Sequence, residues 1–327
     1  MFADAVEHIL KQHCTPAAVR GIERGESPAA LWDAIAEAGL LDLLTPEASG
    51  GAGLHLAEMF PLFLLFGRYA TPVPVAQSIA ARALVADQAA IPRGMLSMAP
   101  LCQRQGDAIV CPLTPAGMLA DHVLASNHGT LILLDCASAD RVATGVHGSL
   151  TATLKWQHGS RDAIACDFDR GMSAYGAAIH AALLAGAMHR TLALTLRHAN
   201  DRVQFGKPIG TFQAVQHQIS VMAEQVAAAS IASEAAFHSG TRVPTALAAA
   251  VAKSRASEAT AVVTSVAHAV HGAIGIAEDH DLHLYTRRLH EWRIAHGSEA
   301  CWNQFIGEQV LRDNNQPIMD FVRAIHA

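Results

Sequence analysis

Residues 200–213, Asn-Asp-Arg-Val-Gln-Phe-Gly-Lys-Pro-Ile-Gly-Thr-Phe-Gln, constrain this chain most, because two glycines, a proline and a polar run separate two long apolar-periodic segments there. Upstream, Ile179, Leu183, Met188, Leu192 and Leu196 recur at four- and five-residue steps. Downstream, Phe212, Val215, Ile219, Met222 and Val226 alternate steps of three and four. That is the period of a buried helical stripe. The stretch therefore predicts a corner between two core helices, with Arg202, Gln204 and Phe205 held outside the core. A guanidinium fork suits a diphosphate and a neighbouring aromatic ring offers a flat apolar surface. A surface arginine in a plain helix hairpin fits the same residues.

At 327 residues the chain is long enough for a large core and more than one layer. Its 51% hydrophobic content is mostly an excess of alanine, which favours close-packed helices. The greasiest run, residues 59–66, is short and contains Pro61, so no membrane span is expected. The first residues carry no basic stretch of the kind that precedes a signal sequence, and a cytoplasmic location is expected. Cys14, Cys102, Cys111, Cys136, Cys166 and Cys301 are scattered without a Cys-x-x-Cys, a pattern of reduced thiols. A net charge of −6 with no basic stripe argues against nucleic acid. With 19 histidines a metal site has to be considered. His268 and His271, and His280 and His283, have spacings that put each pair on one helical face, but no cysteine or carboxylate completes a ligand set. No metal site is assigned.

Residues 1–95 read as helices separated by loop signals: a helix over 32–41 ending at a glycine cap, a glycine loop over 46–54, a helix over 55–69, a Pro-Val-Pro break and a helix from Ser78. Over 96–170 the periodicity changes. Residues 108–112, 122–125, 130–135 and 163–168 are short apolar runs bounded by turn residues, which predicts strands. From about 172 the chain reads as helical again, with Pro244 placed in the first turn of a long alanine-rich helix.

The corner, Arg202-Val203-Gln204-Phe205-Gly206-Lys207-Pro208-Ile209 with Phe212-Gln213 and Gln216-His217, resembles a signature of the acyl-CoA dehydrogenase family. So does the stretch from His271-Gly272-Ala273-Ile274-Gly275 through Glu278-Asp279-His280-Asp281-Leu282-His283-Leu284-Tyr285 to Arg287-Arg288. This second stretch is similar to the branch that includes enzymes acting on CoA esters of bulky, steroid-like acids. The resemblance covers nearly the whole chain, strongly over 176–312 and weakly over 96–170. It implies a mainly α fold with a small β domain: an N-terminal helical domain (1–95), a truncated β middle domain (96–170) and a C-terminal four-helix bundle (171–327). It also implies FAD as cofactor, an acyl-CoA thioester as substrate and electron-transferring flavoprotein as acceptor. Arg202, Gln204, Phe205, Gln213, His271 and Gly272 are the positions that resemblance assigns to FAD, the corner serving the flavin of a neighbouring subunit.

The family removes an α-proton with a glutamate, a carboxylate whose pKa a dry pocket can tune. Of the two places where that glutamate occurs, one counted from Gly275 falls on His296 and the other counted back from Gly186 falls on Gly176. Neither is a carboxylate. The positions that help hold CoA map to Ala174 and Ala177, a turn glutamine to Ala269, a turn glycine to Ala273, and the loop and strand that hold the flavin ring have no counterpart. His296, whose imidazole titrates in the right range, and Glu299, one helical turn on, are the candidates for a replacement base. The expectation is a subunit of a heteromeric FAD-dependent acyl-CoA dehydrogenase, whose partner subunit supplies the glutamate. The alternatives are a stand-alone homo-oligomeric flavoenzyme with an atypical base, and a non-catalytic structural or acyl-CoA-binding protein.

Overall fold

The structure, a computed structural model, describes residues 2–85, 91–127, 130–157, 169–238, 242–312 and 317–324. Five helices come first: α1 (Phe2–His13), α2 (Pro16–Glu23), α3 (Ala29–Glu37), α4 (Leu56–Arg68) and α5 (Val75–Leu84). Their ends follow local chemistry. Thr15 Oγ1 accepts from Ala18 N at 3.2 Å and Pro16 opens the first turn of α2. Gly39, at φ +69, turns the chain after α3.

Among the described residues seven strands follow: β1 (Leu96–Met98), β2 (Gln103–Gln105), β3 (Ala108–Thr114), β4 (His122–Asn127), β5 (Thr130–Asp135), β6 (Asp140–Ala143) and β7 (Ala152–Trp156). They form two small sheets, ordered β1-β4-β5 and β2-β3-β7-β6. The pair β1–β4 is parallel and the other pairs are antiparallel. The strand expected over 163–168 lies outside the described residues. Both sheets contribute to one apolar cluster that includes Ile109, Val123, Leu134, Leu154 and Trp156.

The rest is helical: α6 (Asp169–Asp201), a two-stranded hairpin of β8 (Val203–Gln204) and β9 (Lys207–Pro208), α7 (Gln213–Ala235), α8 (Ala246–His271), α9 (Leu282–Ile294), α10 (Glu299–Arg312) and α11 (Ile318–Ala324). Helix α6 is the axis, packing on α4, α7, α8 and α9, and α8 packs in turn on α7, α9 and α10. By length and composition alone α6 and α8 would pass for membrane spans, but 78% of the α6 window is buried inside the protein. Its apolarity is that of a core helix, surrounded on several sides.

The crossing of α4 and α6 depends on two glycines. A Cβ on Gly67 would collide with the Leu183 carbonyl, and one on Gly186 with the Leu64 carbonyl. Pro244 is placed differently from expectation. It precedes Thr245, the N-cap of α8, whose Oγ1 accepts from Ala248 N at 3.3 Å. A side-chain oxygen satisfies an orphan N–H at that position, whereas proline can only avoid having one.

Candidate active-site cleft and an exposed corner

The corner is a tight hairpin. Phe205 and Gly206, at φ +52 and +78, form its two-residue tip between β8 and β9. Positive φ at both central residues matches the twist of the strands, but an aromatic residue adopts it at a cost. Phe205 is 90% exposed and meets Phe212 edge-on, ring centroids 6.2 Å apart. Arg202 is held by its backbone: its N–H donates to the His198 carbonyl and its carbonyl accepts from Ile209 N, 2.9 and 2.8 Å. The side chains of Arg202, Gln204 and Gln213 are exposed.

His271 and Gly272 lie at the same end of the bundle. Ala199, Ile209, Ile219 and Val270 form one small core under the corner, and the His198 ring stacks on His271 at 4.4 Å. His271 Nδ1 lies 2.8 Å from the Ala267 carbonyl. Burial pushes the imidazole down to about 4, so the neutral ring donates from Nδ1 and leaves Nε2 a bare acceptor. That buried Nε2 has no partner among the described residues. An exposed guanidinium, an exposed ring and an unused buried acceptor on one bundle end fit an external ligand carrying phosphates and hydrogen-bond donors, as FAD does. Of the histidine pairs read from spacing, His268 and His271 share one face of α8, with His268 Nε2 3.2 Å from Thr286 Oγ1, whereas His280 sits in the turn before α9, its Nδ1 accepting from Leu282 N, and does not share a helix with His283. A three-residue spacing gives one face only where the helix is continuous.

At the other end of α8 and α9, a cavity of about 740 Å3 opens between the β sheets and the C-terminal helices. His296 is on its wall, with φ +53 in the turn that follows α9. Three contacts fix that turn. Lys253, fully buried on α8, donates from Nζ to the Arg293 carbonyl at 2.7 Å and to the Gly297 carbonyl at 2.8 Å, and Trp302 Nε1 donates to the His296 carbonyl at 2.9 Å. The imidazole is wedged against Gly176, where any Cβ would overlap its ring, and lies 4.9 Å from the His180 ring. The two positions that the family resemblance marks for a base are thus one place in space, and the histidine fills it. Its Nε2 is buried and unpartnered among the described residues.

Burial, with the Lys253 charge second, lowers the His296 imidazole to about 4, and burial lowers His180 well below the usual range. Burial also pulls the Lys253 ammonium from 10.5 down to about 7. In each case the folded chain binds fewer protons than the unfolded one, so stability rises with pH. The window is about 4 to 6.5 for His296 and about 7 to 10.5 for Lys253. Lys253→Met is therefore expected to flatten the alkaline limb. In urea unfolding, the wild type should gain about 3 kcal/mol more than the variant between about pH 7 and pH 9.5. Parallel profiles would rule out a titrating Lys253.

Glu299 is no freer. Its carboxylate is held by Arg293, with Nε 3.0 Å from Oε2, and that hydrogen bond first of all keeps it below the usual carboxylate range. It is not on the cavity wall. The carboxylate that does line the cavity is Glu291, which sequence reading misses. Thr151 Oγ1 donates to its Oε1 at 2.6 Å and Arg288 Nη1 to its Oε2 at 3.1 Å. Arg288 also pairs with Glu23 of α2 at 3.0 Å. The i,i+3 pair of Arg288 and Glu291 is legible in sequence; its burial by Thr151 is not. Among the described residues the cavity contains no uncommitted carboxylate.

Residues 1–89 match the N-terminal domain of acyl-CoA dehydrogenases and residues 171–311 the C-terminal domain. The chain is 34% identical over 300 residues to acyl-CoA dehydrogenase IpdE2 of Mycobacterium tuberculosis, covering 89% of this chain and 90% of that protein. The chain belongs to the acyl-CoA dehydrogenase family. Its fold is that of the family's solved structures. The ChsE4-ChsE5 complex from Mycobacterium tuberculosis superposes with a TM-score of 0.83 at 22% identity, over 96% of this chain and 96% of that chain. The Tcur3481-Tcur3483 steroid acyl-CoA dehydrogenase does so with a TM-score of 0.83 at 25% identity, over 96% and 98%. The family is one of FAD-dependent oxidoreductases, and the chain has its helical frame.

Proposed function

We propose that this chain is one subunit of a heteromeric acyl-CoA dehydrogenase, completing the FAD site of a partner that carries the catalytic glutamate. The observation that carries the reading is the separation of its two parts. The corner, with Phe205 90% exposed, projects from one end of the bundle. The chain's own cavity is at the other, about 27 Å away along α8 from the 1.5 Å rise per residue between His271 and Lys253. A corner that far from its own cleft supports a role toward another chain.

In that role Arg202 holds the flavin's diphosphate, Gln204 and Gln213 offer amides, Phe205 covers an aromatic face, and His271 Nε2 with the Gly272 turn accepts a donor. Bound FAD supplies a hydride acceptor for the α,β-desaturation of an acyl-CoA thioester. This chain contributes cofactor retention, and the proton is taken by the partner. The name of the Tcur3481-Tcur3483 steroid acyl-CoA dehydrogenase favours bulky, steroid-derived acyl groups, and the family resemblance implies an electron-transferring flavoprotein as acceptor. A cytoplasmic location is part of the same proposal.

The absorbance spectrum and mass of the chain purified alone, and again after co-expression with the product of the neighbouring reading frame, test it. Flavin absorbance confined to a heteromer is the expected result. A yellow, active homo-oligomer would overturn it and favour the stand-alone enzyme. No flavin in either preparation would favour the non-catalytic protein.

A further inference from the structure

The β domain brings two thiols face to face. A two-residue turn, Gly106 and Asp107, joins β2 to β3, with Gly106 at φ +64. The register pairs Gln105 with Ala108, Arg104 with Ile109 and Gln103 with Val110, so one step further Cys102 is opposite Cys111. Hydrogen-bonded and non-hydrogen-bonded positions alternate along such a hairpin, starting from a bonded pair at the turn, and this step is a non-bonded one. Cα atoms across it sit about 4.5 Å apart, inside the range that a disulfide spans. Pro112, next in β3, has no N–H with which to extend the pairing.

Both side chains lie on the inner face of the sheet. Cys111 is fully buried with Ile109 and Leu154 in the apolar cluster, and Cys102, half-buried, packs against that cluster. The two thiols are hydrogen-bonded to each other. With Cys111 donating, that bond draws the Cys102 thiol below its ordinary range against the effect of burial, and the Arg104 charge adds to it. The same bond, then burial, pushes the Cys111 thiol up. A partly exposed sulfur that ionises readily, beside a buried thiol that keeps its proton, is the arrangement of a peroxide-sensitive cysteine and its resolving partner. Cys136 shares the cluster and is itself buried, its Sγ 4.0 Å from the Leu134 carbonyl.

We infer that Cys102 and Cys111 are a reversible dithiol–disulfide pair oxidised by hydroperoxides, with Cys102 attacking first. The Cys102 thiolate displaces hydroxide from the peroxide oxygen: an S–O bond forms, the O–O bond breaks, and the hydroxide takes the Cys102 proton to become water. Cys111 sulfur then attacks the Cys102 sulfenic acid: an S–S bond forms, the S–O bond breaks, and the departing hydroxide leaves as water with the Cys111 proton. Two electrons pass from the thiols to the peroxide. The bond fastens β2, exposed along its length at the edge of its sheet, to a buried strand. A dithiol reductant reverses it by exchange.

The full chain treated with one equivalent of hydrogen peroxide at about pH 7.5, blocked with maleimide and digested with trypsin without reductant, tests this. Cleavage after Arg104 separates residues 94–104, which contain Cys102, from residues 105–141, which contain Cys111 and Cys136. The expected result is one linked pair of these peptides, two hydrogens lighter than their sum, with two fewer of the six cysteines labelled and both changes undone by dithiothreitol. Cys136→Ser should keep the link. Cys111→Ser should stop at a sulfenic acid on Cys102 that dimedone traps, and Cys102→Ser, at the half-buried position, should leave Cys111 a labelled thiol. The inference is overturned by absence of the link in the wild type, by its loss in Cys136→Ser, or by oxidation of Cys111 in Cys102→Ser.

Discussion

Gly176→Ala is expected to destabilise the chain by about 3 kcal/mol, and adding His296→Gly to return most of that loss. Two effects oppose each other at this site. Alanine in place of glycine in a helix is ordinarily worth about 1 kcal/mol in favour of folding. Here the added methyl falls within the imidazole of His296, whose backbone is held by Lys253, donating to the Gly297 carbonyl, and by Trp302, donating to the His296 carbonyl. With its backbone pinned and its ring buried, His296 has little room to step aside, so overlap outweighs propensity. Removing the ring also frees residue 296 from an unfavourable φ. A double-mutant cycle in urea should therefore give a coupling of at least about 2 kcal/mol between sites 120 residues apart in sequence. Additive losses would mean that the two positions do not share space.

Arg202→Ala should leave the melting temperature of the chain unchanged and lower the flavin affinity of the proposed heteromer by about 10- to 100-fold, the worth of one or two charge-assisted hydrogen bonds. The asymmetry follows from the corner's construction. Backbone hydrogen bonds to His198 and Ile209 shape it, and the guanidinium takes no part in them. Arg202→Lys keeps the charge and loses the fork, so it should fall between the two. Flavin absorbance per heteromer after gel filtration at fixed FAD measures the effect. Full retention in Arg202→Ala would remove the corner from the cofactor site.

The helices were legible because their ends carry their own chemistry. Gly39 stops α3, and Gly206 and Pro208 turn the chain between α6 and α7, all through local conformational preference. Strands β2 and β6 were not legible: Gln103–Gln105 is exposed along its length, and Asp140–Ala143 nearly so, leaving no alternation to read. The meeting of Gly176 with His296 came within reach only because a family pattern marked both positions. The commitment of Glu291 was out of reach, since the hydroxyl that fixes it belongs to Thr151, 140 residues away. Contacts of that separation are set by how the layers pack, and no local period encodes them.

The outward placement of Phe205 has a consequence for assembly itself. If flavin is held tightly only when the corner closes over it, linkage requires that flavin strengthen subunit association by the same factor. Dilution would then release protein and cofactor in step. Added FAD would draw separated subunits back together, and the supply of the vitamin-derived cofactor would govern how much of the complex exists at all.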